Sequence, residues 1–354
     1  MESDFIRIPP DPRPYRPSWL DHFTDLVRRI PVPFPVVYLA IGLLLALIRT
    51  AIGWMDDSYP FPTVFRVHVL DGLNPMYLLA AIHYLDNIAQ RALADYRPML
   101  TRDSDYDDLR YRLTTMPAVP ALIVGLIGTA VGAVYLQVFL APVDIALSQY
   151  FTSPLATVVD TVLSAISGLA MVMFGYHSIH QLRMISRIYT RHTDVSVFDI
   201  GPLYALSRVT ATTSVALLIF SYVYLAFYGN WQINSVSNAV LLGGILLVAL
   251  LTFVVPLWGS HRLLQREKSH RLSEVGRRIE AAADTLHAKI DSREYSEEAG
   301  RIGDVIEGLI KERAIVAKAP TWPWDPDALR AVISALLLPV VIWVITRILE
   351  RVGI

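Results

Sequence analysis

Six long apolar runs punctuate the chain, at 35–54, 118–140, 154–178, 209–229, 236–258 and 328–349. Each is near the ~20 residues that an α-helix needs to cross a bilayer. The cleanest, 236–258, carries no charge and ends in Trp258; the first carries Arg49 near its end, where a long side chain can snorkel to the headgroups. The stretches between the runs are helical too. Residues 18–30 place Trp19, Leu20, Phe23, Leu26, Val27 and Ile30 on one face, with Ser18 as cap and Asp21 three positions on. This reads as a helix lying along the headgroups or packed on protein.

Asn74 and Pro75 form a cap and first turn for a helix over 75–97, with Leu78, Ile82, Leu85, Ala89 and Leu93 at helical spacing. A shorter helix near 104–115 has Asp105, Asp107 and Asp108 in front of Arg110 and Arg112, the polarity that suits a helix dipole. Both are expected beneath the bundle. The alternative, that 75–97 enters it, requires His83, Asp86, Asn87 and Arg91 to be kept from lipid.

In 259–318, Leu272, Val275, Ile279, Ala282 and Leu286 share one face, as do Ala299, Ile302, Ile306 and Leu309; 291–295 (DSREY) breaks the pattern. The spacing predicts an antiparallel coiled-coil hairpin before the last run. The return, TWPWDPDALR, offers Trp322 and Trp324 as an aromatic belt, Asp325 as cap and Pro326 in the first turn, while Pro339 should kink the last helix and free a carbonyl.

The expected fold is therefore an all-α polytopic integral membrane protein. It divides into a proline-rich tail with an amphipathic helix (1–34), a first span (35–54), amphipathic helices (55–117), spans two to five (118–258), the hairpin (259–318) and a Trp/Pro-led last span (319–354). Composition agrees: 54% of the 354 residues are hydrophobic and 18% charged, against about a quarter charged in a soluble domain. The absence of cysteine excludes disulfides, thiolate metal sites and a cysteine nucleophile, and a net charge of −1 gives no reason to expect a nucleic-acid partner.

Charge distribution sets an orientation. Segments 141–153 and 230–235 lack Lys and Arg, whereas 55–117, 179–208 and 259–318 are basic, which places the latter three in the cytoplasm of a cell-membrane protein. Six crossings then leave both termini outside, in conflict with Arg7, Arg13, Arg16, Arg28 and Arg29 in the N-terminal tail.

Catalytic constellations are missing from the pattern, and neither enzyme nor cofactor is expected. Asp160 has no second aspartate for a dyad, and no His, Glu or Lys falls mid-span to activate a serine. His177 and His180, three residues apart, are the weak candidates for a metal pair or for lipid chemistry. Gly125, Gly128 and Gly132 form a glycine face on the second run, and Ser164 with Gly168 lies on a comparable face of the third, small residues that allow close helix contact within or between subunits. Asp144, Asp160, Gln137 and Ser164 are candidates for a cation-attracting vestibule. These features favour a self-associating ion channel or channel-like receptor in the lipid bilayer. The alternative is a non-conducting scaffold or signalling subunit whose hairpin docks a cytoplasmic protein.

Overall fold

A computed structural model describes residues 13–135, 153–193, 201–228, 236–291 and 297–352. These residues form α1 (Trp19–Arg28), α2 (Phe34–Met55), α3 (Arg66–Tyr96), α4 (Tyr106–Thr114), α5 (Ala118–Tyr135), α6 (Pro154–Arg191), α7 (Ala205–Tyr228), α8 (Val236–Val254), α9 (Trp258–Asp291), α10 (Glu297–Lys318) and α11 (Pro326–Val352). Against the six spans read from the sequence, four helical stretches among the described residues are long and apolar enough to cross a membrane: Phe34–Met55, Pro154–Arg191, Gly201–Val223 and Leu246–Asp291. Ala118–Val134 is apolar but shorter. Leu43 and Leu47 of α2, Leu122 and Leu126 of α5, and Leu337 and Val341 of α11 face outward, as lipid-bathed side chains do.

The largest departure from the sequence pattern is α3. It starts at Arg66 rather than at Pro75, runs through Pro75, and packs on α2, α6 and α7 instead of lying beneath them. Leu78, Ile82, Leu85, Ala89 and Leu93 are all buried. Its contacts with α2 run in opposite order along the two helices: Tyr38 meets His83, Gly42 meets Gly72, and the Thr50 region meets His68 through Tyr59. The pair is thus antiparallel, joined by 56–65. A Cβ on Gly42 would lie 3.0 Å from the Gly72 carbonyl oxygen, so the backbones touch where both helices lack a side chain.

Counting α3 as a traverse of the bundle moves the N-terminal segment to the other end. Tyr15 donates to the Thr115 carbonyl (2.8 Å), Tyr111 to that of Tyr15 (2.7 Å), and the Ala118 amide to that of Arg16 (3.1 Å). The same end holds His180, bonded to the Arg112 carbonyl, and Thr190, against which Gly259 of α9 packs. Residues 13–33 therefore lie with the basic segments 97–117 and 179–193, which removes the conflict created by an external N-terminus. Segment 55–117 is not one-sided: 56–65 sits at the far end of α3.

Buried apolar side chains form two clusters. One gathers Leu20 and Val27 of α1, Tyr38, Ile82, Leu85, Ala121 and Met173; the other gathers Leu93, Tyr96, Leu113, Ile188, Tyr189, Leu206, Phe253 and Leu257. α1 is closed at its start by a capping box in which Ser18 and Asp21 satisfy each other's orphan donors. α5 and α6 meet through glycine: a Cβ on Gly128 would lie 2.7 Å from the Gly168 carbonyl oxygen, and Ser164 donates to the Gly132 carbonyl (2.5 Å). Gly125 faces Leu169, also of α6. Beyond the bundle α9 and α10 lie side by side, the Lys268 ammonium bonding the Ala319 carbonyl (2.8 Å) at their base. Pairs such as Glu274–Arg278 and Glu307–Lys311 decorate their outer faces.

Candidate functional site

Among the described residues, three clusters of charged and polar side chains stand out between helices, each joining elements that are distant in sequence. At the end of the bundle away from the N-terminal segment, Arg49 of α2 binds Asp160 of α6 through two contacts: Nε to Oδ1, and Nη2 to Oδ2 at 3.1 Å. Their side chains are 0% and 1% exposed. Arg49 does not snorkel, and Asp160 does not stand alone in an open vestibule; each neutralises the other between packed helices. Tyr59 lies against this pair, donating to the Thr50 carbonyl (3.2 Å) with His68 Nδ1 at 3.4 Å. Its ring occupies the space that any Cβ on Gly53 would need. At the rim, hydrogen bonds from Ser153 and Ser58, assisted by Arg49, hold the Asp56 carboxyl below its ordinary pKa.

Toward the other end, Asp86 of α3 faces His177 of α6, Oδ1 to Nε2 at 2.9 Å, both nearly sealed from solvent. His83, one turn back on α3, is held by Arg28 Nε (3.2 Å) and the Tyr38 hydroxyl (3.4 Å), with Phe34 stacked on its ring at 4.3 Å. His180 turns away to the Arg112 carbonyl (2.8 Å), and Gln181 Nε2 reaches that of Leu113 (3.4 Å). The two histidines therefore bind different partners and do not converge. Among the described residues no group of three or more potential ligands gathers as a metal site would. Asp21 stands near this node. Burial raises its carboxyl pKa, against hydrogen bonds from Ser18 and the Met116 amide.

The third place joins α9 and the start of α11 to the bundle. Arg208 at the start of α7 spans Asp95 of α3 (3.1 Å) and Asp325 (2.9 Å), while Asp325 caps α11 through the Asp327 amide (2.9 Å). Burial pushes the Asp325 carboxyl up, but the Arg208 guanidinium and the cap amides outweigh it and leave the pKa below the ordinary value. Pro326 occupies the first turn of α11, where no amide hydrogen is needed. Trp322 stacks on His261 of α9 (3.9 Å) and on Trp324 (4.7 Å), which stacks on Phe253 of α8 (5.8 Å). Pro339 cannot bond the Ala335 carbonyl four residues back, and the Tyr222 hydroxyl of α7 takes that place (3.1 Å).

Asp144 and Gln137 lie outside the described residues. The Arg49–Asp160 pairing had a sequence signal: two lone opposite charges, each isolated in its own apolar run. The Asp86–His177 contact had none until α3 was placed inside. The chain matches no family model, no curated protein and no solved structure. Its own helices define its class, a polytopic, all-helical membrane protein.

Proposed function

We propose that the protein is a membrane scaffold or signalling subunit whose α9–α10 arm, a cytoplasmic coiled-coil hairpin, docks a soluble partner. The arm carries this reading. Its base is held to α8 through the His261–Trp322–Trp324–Phe253 stack, and Arg208 of α7 holds the cap of α11 beside it. Among its charged faces it exposes Ile290, Val305, Ile310 and Ile315, each 45–60% accessible. Large aliphatic side chains left exposed on a charged, solvated element are available for contact with another protein. No catalytic step is assigned. The polar groups within the spans also favour a dry bundle. Thr129, Thr161, Thr213, Ser221 and Thr252 each bond a carbonyl one turn back, while Ser164, Ser214 and Tyr222 bond carbonyls of neighbouring helices.

The second reading is a homo-oligomeric channel whose path runs between subunits. It is favoured by the sequence of 141–153, which holds Asp144 and no Lys or Arg, in contrast to the basic segments. One pair of experiments separates the two. The full-length protein in liposomes should pass no ionic current, and a photo-crosslinker at Ile310 should capture a soluble protein in cells. That capture should be lost in the V305D/I310D/I315D variant. Current through the purified protein, or crosslinks confined to other copies of the chain, would overturn the scaffold reading.

A further inference from the structure

Between α3 and α7 the flank of the bundle opens into a cavity of about 200 Å³, lined on α3 by Val69, Leu70, Leu73, Asn74 and Tyr77 and on α7 by Ile219, Phe220 and Val223. Its walls are apolar except at Asn74, whose side-chain amide makes no hydrogen bond among the described residues. Ile219 and Val223 are 45% and 38% exposed, so the mouth opens sideways on a candidate span and faces acyl chains rather than water. Tyr77 and Phe220 are stacked 6.4 Å apart with planes 17° from parallel, and Tyr77 is fixed by its bond to the Ala216 carbonyl (2.9 Å).

We infer that this cleft binds the ring of a lipid-soluble quinone, with Asn74 donating to a ring carbonyl and the isoprenoid tail lying along α7 in the membrane. The size fits, since a dry cavity of ~150 Å³ takes one benzene and this one leaves room for ring substituents. The chemistry fits as well. Asn74 stands eight residues into α3, ~12 Å below its start at 1.5 Å per residue, in a region where an amide without a partner is costly. A phospholipid keeps its polar groups at headgroup level and brings only an acyl chain to that depth, whereas a quinone carries hydrogen-bond acceptors into the hydrocarbon. The aromatic pair beside Asn74 supplies a surface for a flat ring.

The test uses the full-length protein in nanodiscs with an azido-quinone as photolabel and decylubiquinone as competitor. Saturable labelling should map to peptides of α3 and α7 around 69–77 and 219–223 and should be competed by decylubiquinone but not by added phospholipid. N74L should weaken binding about tenfold, the worth of one hydrogen bond in affinity, while keeping or raising the thermal midpoint, because it removes an amide that is unpaired without ligand. A loss of both binding and folding in N74L is resolved by F220A, which should weaken the label by removing ring contact while leaving Asn74 in place. Labelling that never saturates, that is competed by phospholipid, that is unchanged in N74L, or that joins two copies of the chain would overturn the assignment in favour of random partition, an acyl chain or a self-association surface.

Discussion

Replacing Asp160 with Ala leaves the Arg49 guanidinium buried with its principal counter-charge gone. The pair is bidentate and its side chains are 0% and 1% exposed, so neither charge is relieved by solvent in the folded protein. Taking charge centres ~4 Å apart and an effective dielectric of about 20, the Coulomb attraction is ~4 kcal/mol. That lies within the ~3–5 kcal/mol cost of stripping one partner from a buried pair. D160A and R49A should each destabilise the bundle by about this much. R49L/D160L, which removes both charges and fills the space with apolar atoms, should return to within ~1 kcal/mol of the parent. The assay is reversible unfolding in mixed micelles followed by circular dichroism, run as a double-mutant cycle. Single substitutions that cost less than ~0.5 kcal/mol, or a double variant whose loss equals the sum of the singles, would show that the contact does not hold α2 to α6.

Three further outcomes follow from the other contacts. Y222F should cost ~0.5–1.5 kcal/mol by leaving the Ala335 carbonyl without its donor, and the cost should shrink in a P339A background, where the helix supplies its own amide; equal losses in both backgrounds would dissociate Tyr222 from the proline. D325N should weaken the α11 cap and its Arg208 contact by about 1 kcal/mol and alter the pH profile. Because the folded-state pKa of Asp325 lies below its ordinary value, its contribution is present above about pH 4 and fades as pH falls through the folded value; a parent and D325N that lose stability in parallel on acidification would contradict this. G168L should separate α5 from α6, since any Cβ there collides with the Gly128 carbonyl and Gly132, and an unchanged unfolding midpoint would refute the close packing.

The helical class and the two helices of the arm were legible in the sequence, because their apolar positions recur at helical spacing and their caps are local. Ser18 with Asp21 is such a signal, since both partners fall within one turn. The place of α3 was legible only as the alternative to a helix beneath the bundle, because its own chemistry argued against it. Asn74–Pro75 has the form of a helix start, but inside a packed bundle a proline can be carried mid-helix when neighbouring helices hold the segment in place. His83, Asp86 and His68 also lower the apolarity of α3 until no window resembles a span; their partners are Arg28, Tyr38, His177 and Tyr59, on four other parts of the chain. The glycine contact of α2 with α3 was invisible for a related reason. Gly42 and Gly72 do not form a spaced pair within one helix, and only the fold brings them together. The N-terminal arginines were the clue that one traverse was missing.

One arrangement decides the topology: α3 passes back through the bundle, so that the N-terminal segment and the α9–α10 arm share one side, which we propose is the cytoplasmic one. The chain has no cysteine, so single cysteines at Phe61, Arg29 and Glu280 can be probed one at a time in intact cells with a membrane-impermeant maleimide. Phe61→Cys should label from outside, whereas Arg29→Cys and Glu280→Cys should label only after permeabilisation. Labelling of Arg29→Cys from outside while Glu280→Cys stays protected would restore an external N-terminus and contradict the arrangement, and labelling of Glu280→Cys from outside would remove the arm from its proposed partner.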